Sequence, residues 1–352
     1  SGAEQQEIYD INPDLVLLCG GTDGGNKEVI IANAKRLVAI DRPFTTIIAG
    51  NKSASDEIRT IFEEAGKDFV ITENVMPQFN KLNIEPARDA IRQLFISRII
   101  EAKGLNILQG MTPYKIIPTP LAVLHACELL SKGTKTQAGR GDLLAVDIGG
   151  ATTDVYSMAS GEPTVDNTMM KGLPEPWMKR TVEGDLGMRY SLTHVFEQIP
   201  GANQPENEYM QQVKAWVDLC TSHPDTLAAP GSEEEGLEEF LGRSAVSMAV
   251  ERHCGRIADV FTPLGLMHTL EGKDLMNVPC VIGIGGVLRN SRRPQEILKG
   301  CLYDFVHPEC TKPRNPKFYL DQKYIFASMG LLRAINPELA FELLDKETVE
   351  LA

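Results

Sequence analysis

The sequence predicts an α/β protein in two lobes, and three observations lead there. From Asp14 to Thr72, short apolar runs alternate with glycine loops and helical stretches, the pattern of a parallel sheet with crossover helices. A second buried run, Leu143–Val146, ends on Asp147 and turns at Gly149-Gly150. Between these regions lies Lys132–Gly141, polar, glycine-rich and without periodicity, as expected of a hinge. At 352 residues the chain is long enough to bury two cores.

Asp14–Cys19 reads as a buried strand, Gly20–Asn26 as a loop and Lys27–Ile40 as a helix. Thr45–Ala49, Gly50–Ser53 and Ser55–Ala65 repeat the plan, and Phe69–Thr72 is a third strand. The loop Gly20–Lys27 stands at the carboxyl end of a strand, where open α/β sheets place ligands. It is also readable as a plain strand-to-helix turn, since Glu28 after Lys27 breaks the G-x-x-x-x-G-K-[ST] pattern. Pro86 opens a helix that Lys103-Gly104 closes. Leu121–Ser131 is a short helix whose small Ala122 and Ala126 permit a close crossing. The expected organisation is a first lobe over 1–138, a second over 139–325, and C-terminal helices over 326–352 returning to the first.

The stretch Leu143–Ser157 carries the chemistry. Gly149-Gly150 can take positive φ and admit another group to the backbone. Successive N–H groups in such a turn form a concave anion site, followed by Ala151 and the hydroxyls of Thr152 and Thr153. Asp147 and Asp154 bracket the turn and suit Mg²⁺, held through water. Phosphate donors between carboxylates fit a nucleotide–Mg²⁺ complex. Further on, Thr181–Arg189 feeds an expected helix over Met188–Gln198, whose N-terminus holds a phosphate or ribose unless Asp185 merely caps it. Residues 200–242 show the least pattern, and a helix is expected over Ser244–Phe261. Strand Val278–Ile284 runs into Gly285-Gly286 and Arg289. The glycines let a flat ring lie on the backbone, and the guanidinium can stack on it. Ala327 and Gly330 are small enough to pack on Ala122 and Ala126, and Asn336-Pro337 starts a last helix.

DIGGATTDVYS resembles the second phosphate loop of the actin, sugar-kinase and heat-shock-chaperone ATPase superfamily, with Ala151 where a third glycine is usual. The resemblance implies an actin-like ATPase (ribonuclease H-like) fold, with ATP and Mg²⁺ in a cleft between the lobes. It extends to Pro118–Ala122 and Phe326–Ala334 as the two connecting helices and to Ile284–Arg289 as the adenosine motif. By the same resemblance Glu251 contacts the nucleoside. Two departures matter. The residue before Pro118, a catalytic Glu in the chaperones, is Ile117, which cannot act as a base. The first phosphate loop has no counterpart before Asp14, so the expectation is a chain that starts inside the first lobe, with weak ATP binding and little hydrolysis.

LLCGGTDGGNKE, GDLLAVDIGGATTDVYS, VEGDLGMR and the RHCGRI–TPLG stretch together resemble the MutL accessory proteins of glutamate mutase, distinct from the DNA-repair protein of the same name. That resemblance implies an ATP-dependent reactivating chaperone. Its partners would be the subunits of an adenosylcobalamin-dependent mutase. A small-molecule kinase and a non-catalytic nucleotide-binding module stay open as alternatives.

Composition bounds the partners. A net charge of −13 argues against nucleic acid and against an anionic membrane surface. No run approaches the ~18 apolar residues of a membrane span. The seven cysteines are scattered, never in a C-x-x-C pair, and fit reduced thiols in a cytoplasm.

Overall fold

Strands Leu15–Leu18 (β1), Thr45–Ile48 (β2) and Phe69–Ile71 (β3) pair in parallel in the order β1-β2-β3. Helix Gly2–Ile11 (α1) precedes them; Glu28–Val38 (α2) and Ser55–Glu64 (α3) are the crossovers. Ile30, Ile31, Ala34 and Leu37 recur at helical spacing on α2 and pack with Ile58 and Phe62 of α3 over Ile48. The structure is a computed structural model that describes residues 2–102, 107, 110–114, 116–202, 204, 206–263 and 265–351. Helix Glu85–Ala102 (α4) has Pro86 in its first turn as expected; Lys103-Gly104 lies outside the described residues. Contacts divide the chain into two units, Ser1–Ile117 and Pro118–Ala352.

In the first unit, the loops at the carboxyl ends of β1 and β2 are stitched to each other. The buried Asn51 carboxamide accepts from the N–H groups of Gly24 and Ser53. It donates to the carbonyls of Gly25 and Asn26 at 3.0 and 3.2 Å. Asp23 accepts from the Lys52 N–H and from Asn74, both at 2.9 Å. Gly21, at φ +71°, sits where a Cβ would come within 2.4 Å of the Asn26 carbonyl oxygen. Gly24, Gly25, Asn26 and Asp23 of the Gly20–Lys27 loop are thus tied to Asn51, Lys52 and Asn74.

The second unit is built on a six-stranded sheet. Leu143–Ile148 (β4), Thr153–Met158 (β5), Met178–Glu183 (β7), Cys280–Ile284 (β10), Lys317–Asp321 (β11) and Thr348–Glu350 (β12) lie in the order β12-β11-β10-β4-β5-β7. β4, β10 and β11 run parallel, and β5 returns antiparallel beside β4. Helix Thr119–Lys132 (α5) belongs to this unit. So do the short helix Leu192–Glu197 (α6), Glu208–Ser222 (α7) and Glu233–His253 (α8). Trp216, Val217, Leu241, Val246 and Val250 from α7 and α8 fill the core against Val146, Val155 and Val281. The region that shows least pattern in sequence therefore supplies two core helices.

Two boundaries differ from the sequence expectation. The helix expected over Ser244–Phe261 ends at His253. Gly255 follows, where a Cβ would come within 2.9 Å of the Lys273 carbonyl oxygen, and Arg256–Thr262 (β8) is a strand. The β-favouring pair Val260-Phe261 goes with that strand. It joins Gly265–Glu271 (β9) and Thr168–Lys171 (β6) in a separate three-stranded sheet, ordered β6-β9-β8. The helix expected from Met188 starts only at Leu192. The N–H groups of Met188, Arg189 and Tyr190 are instead bound by the carbonyls of Gly149 and Gly150.

Gly286–Asn290 (α9) and Pro294–Leu298 (α10) follow β10, and Phe326–Leu332 (α11) and Pro337–Glu347 (α12) follow β11. α11 crosses α5 at very short range: a Cβ on Gly330 would fall 1.8 Å from the Ala122 carbonyl oxygen. The Asn336 side chain accepts from the Leu339 N–H and caps α12, as expected. All seven cysteines are free; Cys19 is half-buried and the other six are buried. Among the described residues no helix is long and apolar enough to cross a membrane.

Candidate functional site

Three carboxylates gather at one end of the large sheet. Asp147 is next to last in β4, Asp154 faces it across the hairpin, and Asp321 ends β11, with β10 between. Burial pushes Asp147 up to about 6, the charges of Asp154 and Asp321 add to that, and Arg180 opposes it. Arg180, from β7, pairs with Asp154 at 2.6 Å. Asp321 is buried and raised by desolvation, with the Ile325 and Phe326 N–H groups donating to its carboxylate and opposing the rise. Those two bonds follow Tyr324, whose φ of +56° is rare for a bulky residue. Neither Asp321 nor Arg180 stands in a local motif; each is brought in by strand register.

The glycine turn is fastened from one side and open on the other. The Gly149 N–H donates to the Thr152 carbonyl at 2.9 Å. The Gly150 carbonyl accepts from Arg189 and Tyr190 at 2.8 and 2.9 Å. Among the described residues, the N–H groups of Gly150 and Ala151 meet no acceptor. Ala151 leans on Gly187, whose Cβ would come within 2.2 Å of the Ala151 carbonyl carbon. The threonines split: Thr152 Oγ1 donates to Asp154 at 3.3 Å, whereas Thr153 is buried and donates to the Leu186 carbonyl at 2.5 Å.

Gly285, at φ +107°, is wedged against β4. A Cβ there would lie 2.4 Å from the Ile148 carbonyl oxygen and 3.0 Å from Asp147 Oδ1. This close approach sets the second glycine turn beside the first. A cavity of about 670 Å³ joins them, lined by Gly149, Gly150, Gly286, Val287 and Asn290, by Leu227–Pro230, and by Glu235, Glu238 and Glu239 of α8. Each of those glutamates is paired: Glu235 with Arg292 at 2.7 Å, Glu238 with Arg189 at 2.5 Å, Glu239 with Arg293 at 2.5 Å. The wall is therefore charge-compensated rather than anionic.

Gly149, Gly150 and Gly286 are thus brought together on one cavity, with Asp147 and Asp154 at the root of the same hairpin. Arg289 is exposed, outside the lining, and its charge acts on Asp321. Glu251 is not brought to the cavity. It lies twelve residues beyond Glu239 on α8, about 18 Å along a helix axis. There it pairs with the buried Lys312 at 3.0 Å, and Asp304 pairs with the same ammonium at 2.7 Å. Glu251, Asp304 and His307 are near enough to share a cation, but Lys312 already provides one. Asp185 does not cap α6, whose N-terminal flank is Ser191: Arg252 grips the aspartate at 2.7 Å and holds it down at about 2. His253 is a core residue, between Thr181 and Ser157 at 2.8 Å each.

Fold and site define an α/β protein whose main sheet carries two glycine turns and three carboxylates at one end. The family model described as MutL protein matches residues 1–348. Protein MutL of Clostridium tetanomorphum is 45% identical over 350 residues, covering 99% of this chain and 75% of that protein. The chain belongs to the MutL protein family.

Proposed function

We propose that the cavity binds Mg-ATP and that the protein serves as an ATP-dependent accessory, or reactivating, chaperone of an adenosylcobalamin-dependent glutamate mutase or related aminomutase. The observation that carries the nucleotide part is the single cavity shared by the Gly149-Gly150 and Gly285-Gly286 turns. Unpaired N–H groups on the first turn suit phosphate oxygens. The second leaves room for a flat base over the backbone. Mutual repulsion among Asp147, Asp154 and Asp321, with Arg180 as counter-charge, is what a bound cation relieves. Asp147 and Asp154 would hold Mg²⁺ through water, and the ion would supply charge neutralisation for the phosphates. The α8 contact with the nucleoside falls to Glu235, Glu238 or Glu239 rather than Glu251. The mutase part rests on the family likeness.

Isothermal titration with Mg-ATP tests the site. The expected result is saturable heat that disappears in Asp147→Ala. No heat with the wild-type chain, or equal heat in the variant, removes the proposal. Ile117, apolar where a chaperone ATPase has its base, favours a second reading in which nucleotide only sets conformation. Single-turnover hydrolysis faster than the uncatalysed reaction would discard that reading.

A further inference from the structure

One residue grips the phosphate turn and the far walls of the cavity at once. Arg189 is 9% exposed. Its backbone N–H donates to the Gly150 carbonyl at 2.8 Å. Its guanidinium reaches the other way, donating from Nε to the Pro224 carbonyl at 3.1 Å. Nη2 donates to the Thr226 carbonyl at 2.9 Å and to the Glu238 carboxylate at 2.5 Å. Nη1 donates to the carbonyl of Met188 at 2.6 Å. Gly150, Leu227–Pro230 and Glu238 are separate stretches of the lining. A guanidinium is a rigid planar fork, so a shift of the Gly150 backbone is not absorbed within it. With the far end of the side chain held by four acceptors, such a shift falls on its methylene stem and on the bonds to Pro224 and Thr226.

We infer that Arg189 is a positioning residue that makes occupation of the phosphate turn and ordering of the 224–230 segment one event. The inference rests on the nucleotide reading and deepens it. A ligand confined to the glycine turn should be felt as far as Asp225 and Thr226, which lie outside the cavity lining. A merely structural arginine would stiffen both places regardless of ligand.

Hydrogen exchange of the full chain, with and without Mg-tripolyphosphate, separates the two, because this probe has phosphates and no nucleoside. In the wild type, amides at 149–151 and those within 224–230 (225–229, since Pro224 and Pro230 carry no N–H) should both slow, the second group by about tenfold. In Arg189→Lys the turn should still slow while 224–230 does not respond. Glu238→Gln keeps the arginine and is expected to reduce the distant response; it carries the test if Arg189→Lys fails to fold. Slowing at 149–151 without slowing at 224–230 in the wild type overturns the inference, as does an undiminished distant response in the variants. No slowing at 149–151 with either tripolyphosphate or Mg-ATP removes the nucleotide reading itself, and the inference with it.

Discussion

Asp147 is strained by its surroundings. Burial, then Asp154 and Asp321, raise it to about 6, against about 3.9 in an unfolded chain. Ionisation is thus harder in the fold than out of it. Stability contributed by the neutral acid is fully present below about pH 4 and lost as pH rises to about 6. Two units correspond to roughly 2–3 kcal/mol. Asp147→Asn should melt higher than wild type at pH 7.5 in a chelator, with the gap closing near pH 4. A lower melting point at pH 7.5 would contradict the account. Gly285 is constrained in another way, by positive φ and by the Ile148 carbonyl. Gly285→Ala should cost at least about 2 kcal/mol in urea denaturation.

At the scale of elements, the α5–α11 crossing depends on one missing carbon. Gly330→Ala places that carbon within 1.8 Å of the Ala122 carbonyl oxygen. The helices must part, and a loss of about 1–3 kcal/mol is expected in the same urea assay. This crossing was legible in sequence, because small residues four apart announce close packing. So were β1 to β3, β4, β10 and both glycine turns; of these apolar runs all but β3 lead into glycine. What stayed hidden is tertiary. Asp321 sits on a strand two places from β4 in the sheet and has no sequence neighbour to mark it. Arg180 reaches Asp154 only through the β5–β7 register. The three Glu–Arg pairs of the cavity wall join α8 to segments 189 and 292–293, and charge runs alone read as a solvated face. Glu251 shows the matching hazard: the helix was found, but a position on it needs a register that an isolated glutamate does not set. The strand β8 was missed because the apolar spacing of Ser244–Phe261 carries past Cys254-Gly255 without a proline.

At the scale of the molecule, the candidate site residues, from Asp147 to Asp321, all fall within Pro118–Ala352, which has its own core of more than one layer. That stretch expressed alone should fold and show one cooperative transition by circular dichroism. A broad, non-cooperative melt would mean that the first unit is needed for its integrity. The MutL family assignment covers both units, with the match running over residues 1–348.

The distribution of sulfur gives this two-unit chain a built-in reporter. Cys19 is the one thiol of the first unit, and the six buried thiols all belong to the second. Desolvation also raises Cys19, which slows it. Titration with an aromatic disulfide under partly denaturing conditions therefore distinguishes which part has opened. One equivalent released marks the amino-terminal part, and six more mark the remainder, with no label or mutation introduced.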